Sequence, residues 1–311
     1  MALTAQLDAA TIAYYLPLVN NIYQDDPLIK RMMSKTRKVS GGSTIKVPLV
    51  NTQSVSGGSY NKNDTLTIVH HDVLTENHFH WTHYWKGNSL NKIDLMENSG
   101  DKTQIVNLLT VTMQGIKDDM QDTLATALTS GDAVDDEKLI SIHQYLDYTN
   151  HDTIGDITRS AADGTFYRSN LTSAAGALTY ALMATKMNDC KAMGKKYPDF
   201  IVTTQTLWEK YWSLTFEKVG MINSQQAITD TAVKFWNADV IWSDKVPSGE
   251  MYFINTDHMF LVVHPKDNLQ WSGWVDKEPI DRTKILEGAV GITAQLICDF
   301  PMSCGMLQTL T

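Results

Sequence analysis

Residues 101–130 read DKTQIVNLLTVTMQGIKDDMQDTLATALTS, and this stretch decides the architecture. Apolar side chains recur at Ile105, Leu109, Met113, Ile116, Met120, Leu124 and Ala127, in steps of three and four that hold one stripe on one face of a helix. Leu108 and Leu128 flank the stripe, while Lys117, Asp118, Gln121 and Asp122 fall on the other side. Ser99 as N-cap, Asp101 in the first turn and Gly131 just past the end bound the element. At about 1.5 Å per residue it spans roughly 45 Å, several times the usual helix. Gly115 inside it costs about 1 kcal/mol against Ala. A helix this long with a single apolar stripe is a spine across which other elements lie.

The chain around it has 311 residues, room for two domains or one elaborated one with a sizeable core. An apolar content of 43% and a charged content of 20% belong to an ordinary folded protein. The net charge of -9 argues against a protein whose main work is gripping nucleic acid, but not against one that encloses it without specific contacts. Cys190, Cys298 and Cys304 are odd in number and form no CxxC pair, which favours free thiols in a reducing compartment. No basic residue precedes Lys30, so no secretory signal is expected, and the uncharged run Ser169–Thr185 is too short and too rich in Ser, Thr and Gly to span a bilayer. A soluble cytoplasmic product is expected, without a membrane partner.

Upstream of the spine, Pro17 and Pro27 interrupt any long helix. Between Pro27 and Asn63 lie Lys30, Arg31, Lys35, Arg37, Lys38, Lys46 and Lys62, with no acidic residue. This polarised segment is either a solvated face or a surface for an acidic neighbour or phosphate. Thr44–Val50 alternates, with Ile45, Val47 and Leu49 on one face, and Thr65–Val73 is again β-prone, so the two read as a hairpin. The connection Asn51–Asp64, with Ser56, Gly57, Gly58, Ser59, Tyr60 and Lys62 at its tip, is far longer than an ordinary hairpin loop. It reads as an arm that reaches outside its own domain. A third strand, His78–Trp85, leads towards the spine.

His70, His71, His78, His80 and His83 crowd this region. His78 and His80, two apart on one strand face, could chelate a metal, with Asp72 and Glu76 nearby. The plainer reading is polar, solvent-facing strand positions beside Trp81, Tyr84 and Trp85 packed within the strand. No HExxH or paired Cys/His spacing accompanies them.

After the spine come an acidic turn at Asp132–Glu137, a short helix through Tyr148, and turns over Asp152–Asn170. Leu171–Met193 reads as a helix ending at Gly194, with Leu178, Leu182 and Met183 facing the core. Phe200–Thr203 is a buried strand, and Thr206 caps an aromatic-rich helix to about Val219. Met221–Phe235 is polar and irregular. Strands follow at Asp239–Trp242, Met251–Ile254 and Met259–Val263, then a turn at Pro265–Asn268 and strands at Gly288–Phe300 and Met306–Leu310. GxxxxGK, GxGxxG, GxSxG and HExxH are all absent. Cys190 on a helix and Cys298 in an apolar strand read as structural. Nothing asks for an enzyme or a cofactor.

Two stretches carry a resemblance. NADVIWSDKVPSGEMYFINTDHMFLVV, Asn237–Val263, and PDFIVTTQTLW, Pro198–Trp208, sit in an order of arm, long loop, spine, mixed domain and returning strands. That order resembles the major capsid proteins of tailed bacteriophages with the Hong Kong 97 fold, an α+β class. The resemblance implies an N-terminal arm at 1–40, an extended loop at 41–93, a peripheral domain at 94–131 and 256–311, and an axial domain at 132–255. It implies hexamers and pentamers of an icosahedral shell around double-stranded viral DNA, held by arm and loop, assembled in the host cytoplasm and resident in the virion. A portal protein is implied, and a separate scaffold or none, because the arm starts almost at Met1 with no scaffolding segment before it. Lys62 is the one candidate for the cross-linking lysine of the prototype, with no partner identified. The tip Ser56–Tyr60 and Lys62 would then contact another subunit, and Lys30, Arg31, Lys35, Arg37 and Lys38 would face the lumen, nearer to it than Asp132–Glu137. An encapsulin-like compartment with an enzyme cargo, or a metal-dependent enzyme using His70–His83, are the alternatives.

Overall fold

The fold is described from a computed structural model for residues 26–51, 59–62, 64–65, 68, 73–97, 108–130, 138–219, 233–281 and 283–311. Helix α1 (Pro27–Ser34) starts where Asp26 accepts the Leu28 N–H at 2.8 Å and Pro27 fills the first position, and it buries Leu28, Ile29 and Met32. Strand β1 (Arg37–Lys38) follows. Strands β2 (Thr44–Val50) and β3 (Leu74–His80) form a two-stranded antiparallel ribbon, and β4 (Thr82–Asn91) leads to helix α2 (Lys92–Glu97).

The spine is helix α3 (Leu108–Ser130). Ile116, Met120, Leu124, Ala125 and Leu128 are buried along it, while Leu109, Met113 and Ala127 are half-buried. Ile105, the expected N-cap Ser99, the first-turn Asp101 and Gly131 lie outside the described residues. Salt bridges pin its polar side, Asp119 to Lys86 of β4 at 3.0 Å and Asp122 to Lys245 at 2.8 Å.

Helix α4 (Ile142–Leu146) carries a capping box between Ser141 and Gln144. Arg159, fully buried, donates to the carbonyls of Gln144, Tyr145, Asp147 and His151 and so satisfies the end of that helix. It lies just past a small hairpin, β5 (Thr153–Ile154) and β6 (Ile157–Thr158). Strand β7 (Asn170–Thr172), helix α5 (Tyr180–Gly194), strand β8 (Phe200–Thr203) and helix α6 (Gln205–Val219) come next. Strands β9 (Val233–Phe235), β10 (Ala238–Trp242), β11 (Met251–Ile254), β12 (Met259–Trp271) and β13 (Val275–Asp276), helix α7 (Glu278–Asp281), and strands β14 (Ile285–Cys298) and β15 (Gly305–Leu307) complete the chain.

Two larger sheets result. One runs β7-β15-β11-β8-β10-β9, the other β1-β12-β14-β13 with β4 paired to β14. The central strands β8, β11 and β15 of the six-stranded sheet are buried on both faces, which is why β8 reads as an almost unbroken apolar run. Phe200 and Val202 join the core shared with the spine and β14, while Ile201, Met251 and Phe253 pack against Met183, Met187 and Leu207 from α5 and α6. Strand β4, from the segment 41–93, thus borders the five-stranded sheet, and β15 near the C-terminus enters the six-stranded one.

Several expectations need correcting. Residues 170–172 pair with β15 as a strand, and Thr179 caps at Leu182 N–H (3.2 Å), so α5 begins at Tyr180 and not Leu171. Lys195, at φ 61°, takes the left-handed turn after α5, while Gly194 is required for close approach, since a Cβ there would lie 2.5 Å from Ser303 Cα. Helix α6 starts at Gln205, placing Thr206 inside its first turn. Pro265–Asn268 is no turn: β12 continues through it with register shifts between Val263, Asn268 and Gln270, because β14 remains alongside. The run His78–Trp85 is two strands broken at Trp81, the first paired to β2 and the second to β14.

Candidate assembly surfaces

The β2–β3 ribbon has two faces of opposite character. On the inward face Ile45, Leu49 and Phe79 are buried in the main core along its whole length. On the outward face, at the end next to the connection, Val50 and Leu74 face one another across the strands and are 63% and 71% exposed. In the connection beyond, Tyr60 is 68% and Ile68 85% exposed. The partner of β2 is therefore Leu74–His80 and not Thr65–Val73, which lengthens the connection to residues 51–73. Ser59, Tyr60 and Lys62 are exposed, and Ser56, Gly57 and Gly58 lie outside the described residues.

The middle of the ribbon is clamped. Buried Asn77 accepts the Asp156 N–H at 2.9 Å and donates to the Ile154 carbonyl at 3.3 Å. His78 faces Asp156 through Nδ1 at 2.6 Å and Glu76 through Nε2 at 3.4 Å, and Lys46 reaches Glu76 at 3.5 Å. The His78 hydrogen bond and the Lys46 charge hold the Glu76 carboxyl below its ordinary value. Trp81 Nε1 donates to the Gly42 carbonyl at 3.1 Å.

The histidines are thereby separated. His78 serves the clamp, while His83 on β4 contacts the Thr293 hydroxyl at 2.8 Å, and Thr293 donates in turn to Asp267 at 2.5 Å. His80 is exposed, and His70 and His71 lie outside the described residues. Among the described residues no group of three or more His, Cys, Asp or Glu is placed to hold a metal ion. Nor is any helix among them long and apolar enough to cross a membrane.

The basic segment divides likewise. Arg31 lies 3.4 Å from Asp199 and over the Phe200 ring, and Arg37 stacks 3.4 Å from the Phe260 centroid while donating to the Asp257 carbonyl. These two fasten α1 and β1 to the fold. Asp26 adds a bond from the Ser243 hydroxyl at 2.6 Å, and burial raises its carboxyl above the ordinary value. Lys30, Lys35 and Lys38 are exposed.

Trp85, expected to pack within its strand, is 75% exposed. It borders a surface groove of about 460 Å³ lined also by Asn88, Ser272, Val275, Lys277 and Glu287. Strand alternation could have flagged it, since buried Thr82 and half-buried Tyr84 point the other way along β4.

No protein-family model and no curated protein sequence matches the chain. Solved structures do. The capsid asymmetric unit of cyanophage A-1(L) matches with TM-score 0.74 at 13% identity, over 95% of each chain. The capsid of a native GTA particle matches with TM-score 0.59 at 12% identity, over 97% of this chain and 98% of that one. The holo-SrpI encapsulin of Synechococcus elongatus PCC 7942 matches with TM-score 0.52 at 12% identity, over 96% and 95%. Likeness over whole chains establishes the fold as the α+β Hong Kong 97-like fold that the order of elements implied.

Proposed function

We propose that the chain is the major capsid protein of a tailed-phage-like particle, assembling into hexamers and pentamers of an icosahedral shell around double-stranded DNA. The observation that carries this reading is the ribbon's outward face beside the connection. A two-stranded ribbon is marginal alone, and this one exposes paired Val50 and Leu74 with Tyr60 and Ile68 beyond them. Such a surface finds its burial on another copy, and head-to-tail contacts of this kind close into rings. Residues 1–40 act as arm, 41–93 as extended loop, 94–131 with 256–311 as peripheral domain and 132–255 as axial domain. Ser56–Tyr60 and Lys62 contact the neighbour, and Lys30, Lys35 and Lys38 face the packaged DNA, with Arg31 and Arg37 anchoring the segment that presents them. A portal and a separate scaffold complete assembly in the host cytoplasm, and the product resides in the virion. The subunit has no catalytic role.

The encapsulin-like reading remains second, supported by likeness to the Synechococcus encapsulin. The higher TM-score to the cyanophage capsid favours the viral one. Expression of the chain, imaged by negative-stain electron microscopy beside size-exclusion chromatography, is expected to give hollow shells or capsomer rings. A chain that stays monomeric at high concentration would overturn the proposal. In particles from the native source, nuclease-protected DNA supports the viral reading and a companion enzyme the encapsulin one.

A further inference from the structure

Two stretches far apart in the chain bring positive charge to one place. The turn between β11 and β12, residues 255–258, is gripped from two sides. From one side, Arg37 donates to the Asp257 carbonyl at 3.1 Å while lying over the Phe260 ring. Arg31 reaches Asp199 at 3.4 Å, and the same carboxylate accepts the Thr256 N–H at 2.7 Å and the Thr256 hydroxyl at 2.5 Å. From the other side comes the loop that follows α5, where Lys196 Nζ meets the Asp257 carboxylate at 3.3 Å. Lys38 lies further along, paired with Val263 on β12.

The loop is itself basic. Lys191 in the last turn of α5, Lys195 and Lys196 are all exposed. A helix C-terminus attracts cations, which accounts for Lys191 and Lys195. It does not account for Lys196, whose ammonium is spent on Asp257 across the turn. Lys195 stands at φ 61°, a seat where glycine or asparagine is usual, and so places a charged chain on the surface. Lys191 is held over the Tyr197 ring at 4.3 Å. Of the surrounding acids, Asp199 and Asp257 are engaged as described and Asp299 faces His258 at 2.8 Å. That leaves Asp189, exposed on α5, against Arg37, Lys38, Lys191 and Lys195, none of which has an ion pair among the described residues. In a subunit of net charge -9 this is a local excess of cations.

We propose that Lys191, Lys195 and Lys196 extend the basic surface of Lys30, Lys35 and Lys38 across the 255–258 turn, so that the phosphates of one double-stranded DNA segment are met by both stretches. The inference rests on the shell reading above and names the partner's contact within it. An ammonium on a flexible stem is a point charge that meets a phosphate from any direction and reads no base, which suits a duplex of any sequence. Each contact releases a counterion from the duplex, so the binding is steeply salt-dependent.

The test uses the purified full-length chain and a short labelled duplex of random sequence, followed by fluorescence anisotropy across a range of salt concentrations. The slope of log affinity against log salt counts the phosphate contacts. Lys195→Gln with Lys196→Gln is expected to make that slope shallower by about two, one for each lysine removed. Lys277→Gln with Lys284→Gln removes the same charge at the opposite end of β14, where the Lys277 N–H bonds the Ile285 carbonyl, and should leave the slope unchanged. A wild-type slope in the Lys195, Lys196 variant, an equal fall in the Lys277, Lys284 pair, or a wild-type chain that binds no duplex at low salt would each overturn the inference. A single strand bound more tightly than the duplex would overturn the choice of partner. Shell formation in electron micrographs reports separately on the shell reading: a chain that binds the duplex through these lysines yet forms no shell removes that reading and leaves this contact standing.

Discussion

Gly155 takes φ +59°, and a Cβ there would overlap the side-chain oxygen of Asn77. Gly155→Ala therefore combines left-handed strain with displacement of the Asn77 bonds, and a loss of about 2–4 kcal/mol is expected by denaturant unfolding. A loss within error of zero would show that Asn77 does not clamp the ribbon. Asp147 makes a second point. Burial raises its carboxyl, but bonds from Thr149, Asn150 and Gln308 outweigh that and hold it well below the usual carboxylate range. A depressed folded-state pKa contributes stability that is present above the unfolded value of about 4 and lost as pH falls below it. Asp147→Asn should thus destabilise most at neutral pH, with the gap to wild type closing below pH ~4. A gap that stays constant down to pH ~2 would count against this role. The sequence marked 152–170 as turns, yet nothing in it marked Asn77 or Asp147 as buried.

Among elements, spine and ribbon respond oppositely to change. Met120 is fully buried on α3, and Met120→Ala should cost about 2–5 kcal/mol by chemical denaturation. Deleting Ser54–Asn61 should leave the thermal midpoint of the subunit nearly unchanged while abolishing shells in electron micrographs. A deletion variant that still forms shells would remove the ribbon from the assembly mechanism. The helix face was readable because 3.6-residue spacing is written within a single element, and Ile116, Met120 and Leu124 lie buried as that spacing required. The ribbon's register was not. Apolar residues recur on both sides of residue 73, and the inward face of β3 contains buried Asn77, whose bonds go to a distant hairpin. A polar residue on the inward face breaks the alternation by which a strand is recognised.

At the scale of the molecule, charge is the organising question. A subunit of net charge -9 that encloses DNA should turn its exposed basic segment inward. The triple variant Lys30→Glu, Lys35→Glu, Lys38→Glu is expected to assemble normally, since Arg31 and Arg37 keep their contacts. Nuclease-protected DNA per particle should fall several-fold. Unchanged packaging, with these lysines labelled by a membrane-impermeant reagent on intact particles, would place the segment outside.

The sequence by itself determined the α+β class, the spine, most strands and the order of elements, because periodicity and capping are local properties of neighbouring residues. Only the tertiary structure decided which strand lies beside β2, that residues 265–268 continue β12 around a bulge, and that Trp85 is exposed. Each of these depends on a partner far away in the chain, and contact between distant residues follows from how whole elements pack, for which a residue's own neighbours carry no signal.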